Sequence, residues 1–151
     1  MSSGCAIRVA GLTHPGLVRE QNEDRFIIDQ SAGCFLVADG MGGHQAGEVA
    51  SCIAAETIAR KITLLGSKQR LDPAKSLLEA ILLAHQAVRK QAGKNLSQRG
   101  MGSTVVIAWL QPPSCQLWLA HVGDSRAYLL RGGDFFRLTE DHTIYNQAMR
   151  A

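Results

Sequence analysis

The order of hydrophobic periods along the chain predicts an α+β fold. Residues 7–38 and 104–138 carry short apolar runs and period-two patterns of the kind strands show. Residues 45–92 instead place apolar side chains three and four apart, as amphipathic helices do. The blocks are segregated rather than alternating, which favours α+β layers over a βαβ repeat. The chain has 151 residues, 46% hydrophobic and 19% charged. That is enough for one domain with a core of its own and argues against disorder.

Taken in order, residues 7–12 read as a first strand, and residues 13–24 as a polar, turn-rich stretch with Pro15 and Gly16. Residues 25–29 and 34–38 read as two strands joined by a turn at 30–33. The run Phe35-Leu36-Val37-Ala38 is apolar throughout, as in a strand covered on both faces. Residues 39–43 form a Gly-rich turn. A first helix over 45–65 aligns Ala46, Val49, Ala50, Ile53, Ala54, Ile58, Ile62 and Leu65, with Gly66 as its stop. Asp72 caps a second helix with Pro73 at its first position. That helix places Leu77, Leu78, Ile81, His85 and Val88 on one side, and Gly93 ends it. After a loop at 94–102, strands are expected at 104–110, 116–122, 126–130 and 135–138. Pro112-Pro113 separates the first two, and Gly132-Gly133 closes a tight hairpin between the last two. Residues 139–142 read as the start of a last helix with Asp141 as its N-cap.

Composition excludes several classes. Lys and Arg total 16 against 13 Asp and Glu, a formal net charge of +3. The bases are scattered and aromatics are 5%, without the basic, aromatic-laced stripe of a nucleic-acid surface. No apolar segment approaches the length a membrane helix requires, and the N-terminus has no secretory pattern. No two of Cys5, Cys34, Cys52 and Cys115 form a CxxC pair, so a zinc ribbon is disfavoured. Cys34 and Cys52 read as small buried residues. A reducing cytoplasm is the expected location.

Four clusters bear on chemistry. Arg19, with Asn22-Glu23-Asp24, offers a guanidinium fork for phosphate and two adjacent carboxylates. In Val37-Ala38-Asp39-Gly40-Met41-Gly42-Gly43-His44 an apolar strand delivers Asp39 at its end. Three glycines follow, more than an ordinary turn needs. Asp39 and the Gly40 carbonyl are hard oxygen donors suited to Mg²⁺ or Mn²⁺. His121-Val122-Gly123-Asp124-Ser125-Arg126 reads alone as a tight turn, and Leu138-Thr139-Glu140-Asp141-His142 as a helix cap.

Together the stretches GLVREQNED, VADGMGGHQAGEVAS, GMGSTVV, VGDSRAYLLRGG and LTEDHT resemble, in order and spacing, the PP2C family of metal-dependent Ser/Thr protein phosphatases, in its bacterial form. The resemblance runs from about residue 12 to the end. It implies an αββα sandwich of two antiparallel sheets flanked by helices, with two Mn²⁺ or Mg²⁺ ions between the sheets. By motif match, Asp39 bridges both metals and the Gly40 carbonyl ligates one. Glu23 and Asp24 hold metal-bound water, Arg19 binds the substrate phosphate, and Asp124 helps hold a third, weaker metal. Two cations lower the pKa of a bridging water, neutralise the phosphate and orient in-line attack. The expected substrates are phosphoserine and phosphothreonine proteins, and the expected counterpart is a Hanks-type kinase or its targets.

Some positions depart from the family. His14 stands where many members have an Asp. Met41 stands where many eukaryotic members place a histidine acid, which leaves His44 as the candidate acid or base. The family domain usually continues for roughly a hundred residues and supplies two further metal-binding aspartates there. Residues 1–151 are therefore expected to be one incomplete domain. The alternative reading is a truncated pseudophosphatase that binds phosphoproteins or a partner without turnover.

Overall fold

A computed structural model describes residues 6–43, 46–65, 72–111, 114–143 and 146. The chain runs β1 (Asp24–Asp29), β2 (Cys34–Met41), α1 (Ala46–Leu65), α2 (Pro73–Ala92), a 3₁₀ turn (Leu96–Gln98), β3 (Gly102–Ser103), β4 (Val105–Gln111), β5 (Gln116–Val122), β6 (Tyr128–Arg131) and β7 (Asp134–Arg137). One antiparallel sheet has the order β1-β2-β4-β5, with β3 pairing the end of β2, and β6-β7 forms a second. The α+β class expected from the sequence is the one observed.

Alternation along β2 decides which face does what. Cys34, Leu36 and Ala38 are buried and join the core, while Val37 and Asp39 are exposed on the other face. Register pairs Cys34 with Trp109 and Leu36 with Ile107, so β4 turns Val105, Ile107 and Trp109 into that same core. Both helices lie on this face. The inner surface of α1 is nearly all small: Ala46, Gly47, Ala50, Ser51, Ala54 and Ala55 are buried, and Ile58, Ile62 and Leu65 follow. Small residues let the helix axis approach the sheet closely, and the isoleucines fill the widening far end. Ile58 has no exposed surface, so Ile58→Ala should cost about 2–5 kcal/mol. In thermal melts that is a fall of roughly 2–4 °C per kcal/mol, whereas Leu82→Ala on the exposed side of α2 should leave the midpoint nearly unchanged.

Several expectations require correction. Residues 7–12 form no strand. They lie across the outer face of the sheet, where Gly11 sits so close to Phe26 that an added Cβ would come within 2.5 Å of its ring. In α2 the buried face is Ser76, Leu77, Ala80, Ala84 and Val88, while Leu78 and His85 point outward. Alanines win these positions because the neighbouring helix is itself alanine-lined. Gly93 does end α2, in a right-handed conformation (φ −74°). Cys52 is only partly buried and donates to Glu56. Asp141 is not a helix cap: its carboxylate takes Arg126 and Arg137, and Thr143 accepts the Asn146 N–H at 3.2 Å instead. Other expectations hold. Asp72 accepts from Lys75 N–H as an N-cap, and Gly132-Gly133 closes the β6–β7 hairpin with φ of 63° and 94°. Gly66, the Pro112-Pro113 pair and His44 lie outside the described residues.

Candidate active site

The expected Gly-rich turn begins later than the sequence suggests. Asp39, Gly40 and Met41 continue β2, because β3 gives them a partner. Asp39 is pinned from one side by three bonds. Its N–H donates to Thr104 Oγ1 (3.1 Å), and its carbonyl accepts from Thr104 N–H (2.8 Å) and Ser103 Oγ (3.1 Å). On the other side Asp24 is its register partner in β1, and the Gly40 N–H donates to the Glu23 carbonyl (3.1 Å). The Asp39 side chain thus projects from a backbone held on both edges.

Two glycines bring α1 onto this strand end. A Cβ on Gly40 would lie 1.9 Å from the Gly47 carbonyl oxygen, and one on Gly47 would lie 2.2 Å from Glu23 Oε1. The bare Gly47 leaves room for the Glu23 carboxylate at the first turn of α1, where the helix's positive end favours it. Arg19 reaches the same carboxylate at 3.3 Å and keeps most of its side chain in solvent. Glu23 and Asp24, paired in the sequence reading, therefore have different neighbours: Glu23 faces α1 and Arg19, and Asp24 faces Asp39.

Arg19, Glu23, Asp39, Gly40, Thr104 and Asp124 line one open cleft of about 660 Å³. The Asp39 carboxyl is held above the usual aspartate range, first by partial burial, then by Asp24, with Asp124 adding to it against the opposing pull of Arg19. A carboxyl raised by burial and by neighbouring carboxylates marks a place that a cation would stabilise. The donors are all hard oxygens. Among the described residues no group of three His, Cys, Asp or Glu is close enough to hold a metal by itself. Mg²⁺-like ions commonly take one or two carboxylates and complete their shell with water and substrate phosphate, and the residues present fit that mode.

Sequence reasoning missed Thr104 and Gly47, and the role of Asn22. Thr104 couples Asp39 to the turn carrying Asp124, since its hydroxyl also lies 2.6 Å from Ser125 Oγ. Asn22 accepts from the Asp24 N–H (3.0 Å) and donates to Thr13 (2.8 Å), turning the chain into β1. All three stand in or beside the motif stretches, but a hydroxyl or a missing side chain leaves no period to read. His14, in place of the family's Asp, accepts the Gly16 N–H at 3.0 Å.

Behind Asp124, the His121 and His142 rings lie with centroids 4.5 Å apart, and His121 Nδ1 is buried without a partner. Burial, followed by the neighbouring His142, lowers the His121 pKa; Asp141 and Glu140 oppose this and Arg137 supports it. A folded pKa below the unfolded value means that the folded state binds fewer protons. The stabilising contribution is present above pH 6.5 and is lost as pH falls through that value towards the folded one. Melting temperatures should therefore drop between pH 7.5 and 5.5, and His121→Gln should flatten that slope; an equal slope in both proteins contradicts this reading. Asp141, held down at about 2 chiefly by Arg126, stays ionised across that window.

The family profile of Protein phosphatase 2C matches residues 14–148. The serine/threonine phosphatase stp of Listeria welshimeri is 33% identical over 144 residues, covering 91% of this chain and 56% of that protein. The serine/threonine protein phosphatase PstP of Mycobacterium tuberculosis is 36% identical over 138 residues, covering 91% of this chain and 26% of that protein. Among solved structures, the catalytic domain of PstP in complex with two manganese ions superposes with a TM-score of 0.79 at 33% identity, over 92% of this chain and 57% of that one. The chain spans little more than half the length of the stp relative it matches. With a profile covering most of its length, the chain belongs to the protein phosphatase 2C family.

Proposed function

We propose that this chain carries the phosphate-binding and metal-bridging half of a serine/threonine protein phosphatase acting on phosphoserine and phosphothreonine proteins. The observation that carries this reading is Asp39: a strand-tip carboxylate, raised by Asp24 and Asp124 and set beside Arg19 in one open cleft. When bound, two Mn²⁺ or Mg²⁺ ions, with a third held more weakly, supply the charge that neutralises a phosphate monoester and activates water towards phosphorus. Asp39 and the Gly40 carbonyl would hold the pair, and Asp124 the third. Glu23 in the cleft and Asp24 beside Asp39 would accept hydrogen bonds from metal-bound water. Arg19, exposed and tied by a single bond to Glu23, has guanidinium N–H groups to spare for phosphate oxygens. His44 is the candidate proton donor to the leaving alkoxide.

In the same reading residues 1–151 are one incomplete domain that works in the cytoplasm opposite a Hanks-type kinase or its targets. The family match supports the single phosphatase domain. Among the described residues no helix is long and apolar enough to cross a membrane. The test is hydrolysis of p-nitrophenyl phosphate and a phosphothreonine peptide by the complete reading frame. Release that requires Mn²⁺ and stops with chelator supports the proposal; no release with any divalent cation contradicts it.

A second reading is a pseudophosphatase that binds phosphoproteins or a partner without turnover. It is favoured by the absence, among the described residues, of three metal-ligating side chains in one group. Calorimetric titration separates the two: micromolar binding of two Mn²⁺ ions argues for the enzyme, and no binding argues for the module.

A further inference from the structure

The turn that carries Asp124 is gripped from two sides. On the inner side Gly123, with φ 98°, packs so tightly on Thr104 that an added Cβ would come within 2.7 Å of its methyl group. Ser125 meets the Thr104 hydroxyl at 2.6 Å, and that hydroxyl accepts the Asp39 N–H. On the outer side the segment after β7 runs back along the turn. Leu138 N–H donates to the Ala127 carbonyl (2.9 Å) and His142 N–H to the Gly123 carbonyl (3.0 Å). Ala127 N–H donates to Thr139 Oγ1 (3.1 Å), and Gly123 N–H to His142 Nδ1 (3.3 Å). Arg126 then forks onto Asp141, with Nε at 3.1 Å and Nη2 at 2.7 Å, and Arg137 shares the same carboxylate.

Such a density of bonds exceeds what ending a hairpin needs, and it converges on residues flanking Asp124. We infer that Asp141 and His142 are positioning residues: they clamp the 123–127 turn against Thr104 and thereby fix the Asp124 carboxylate relative to Asp39. Neither touches the cleft. A planar fork on one carboxylate sets distance and angle together, which a single ion pair would not. This inference rests on the proposed role of Asp124 in holding a cation.

The test uses the full chain, with Mn²⁺ as the probe. Mn²⁺ binding is followed by calorimetric titration in wild type, Asp141→Asn and Asp141→Glu. Wild type should show a tighter and a weaker class of Mn²⁺ site. In Asp141→Asn the dissociation constant of the weaker class should rise about tenfold, the scale on which outer partners of a metal site act, with the tighter class unchanged. Asp141→Glu should recover most of the loss. A purely structural role would move both classes together or neither, and either result overturns the inference. Amide exchange without metal gives an independent readout. Gly123 and Ala127 should exchange about tenfold faster in Asp141→Asn once their bonds loosen, and an unchanged rate overturns the clamp. If Mn²⁺ does not bind wild type, the metal reading itself has failed, and exchange alone decides the clamp. Should Asp141→Asn not fold, Arg126→Lys, which keeps the charge and loses the fork, is read in the same way.

Discussion

Asp39→Asn is expected to lower Mn²⁺ affinity at least about 100-fold and to remove metal-dependent phosphate release. Changes to outer partners of a metal ligand already cost about 10–100-fold, and here the ligand itself loses its charge. The same substitution should slightly stabilise the metal-free protein. In the folded chain the Asp39 carboxyl is held above its ordinary range by burial, Asp24 and Asp124. Its ionised form is therefore disfavoured by folding at every pH above that range. Asp39 faces solvent, so screening holds the gain to about 0.5 kcal/mol, a rise of about 1–2 °C. Calorimetric titration with Mn²⁺ and a thermal melt in chelator measure the two halves. A variant that loses affinity and also melts lower would mean that Asp39 is a structural residue.

Gly40→Ala should produce a large loss of stability. The new Cβ would stand 1.9 Å from the Gly47 carbonyl oxygen and 2.4 Å from its carbon. Both belong to backbone in the first turn of α1, which cannot swing aside as a side chain does. Relief requires α1 to lift from β2, and α1 supplies seven of the eighteen buried residues of the core cluster. Overpacking of this kind costs about 1–3 kcal/mol where neighbours yield; against fixed backbone at least about 3 kcal/mol is expected. That corresponds to a fall of roughly 6–12 °C in the melting temperature. Gly43→Ala is the control. Nothing lies within 4 Å of its Cβ, so it should suffer only from its left-handed φ of 72°, at about 1 kcal/mol. Equal losses in the two variants would show that the α1–β2 contact is looser than described.

The parts of the fold that the sequence revealed are those where one periodicity faces one environment. β5 falls at residues 116–122, as its alternation predicts, and the apolar run before Asp39 is a central strand flanked by β1 and β4. The parts that were hidden depend on a neighbour. Residues 7–12 have a strand's composition, but they pack side-on over Phe26 rather than pair. The leucines of α2 suggested a buried stripe, yet of these only Leu77 is buried, and Ala80 and Ala84 fill the middle of the face against the alanine-lined surface of α1. The extension of β2 through Asp39 to Met41 was hidden because β3, two residues long, is too short to show any pattern. In the site, charged residues announced themselves: Arg19, Glu23, Asp39 and Asp124 do share a cleft. The residues that hold them in place did not. Thr104 and Gly47 act through a hydroxyl and through empty space, and Asp141 resembles a cap until the two arginines it binds are seen in three dimensions.

Anomalous diffraction from a crystal grown with Mn²⁺ tests the placement of the cation most directly. A peak at about 2.1 Å from an Asp39 carboxylate oxygen, the distance expected for a small hard dication, is the result this account predicts. Manganese bound at full occupancy elsewhere, with Asp39 turned towards solvent, would contradict it.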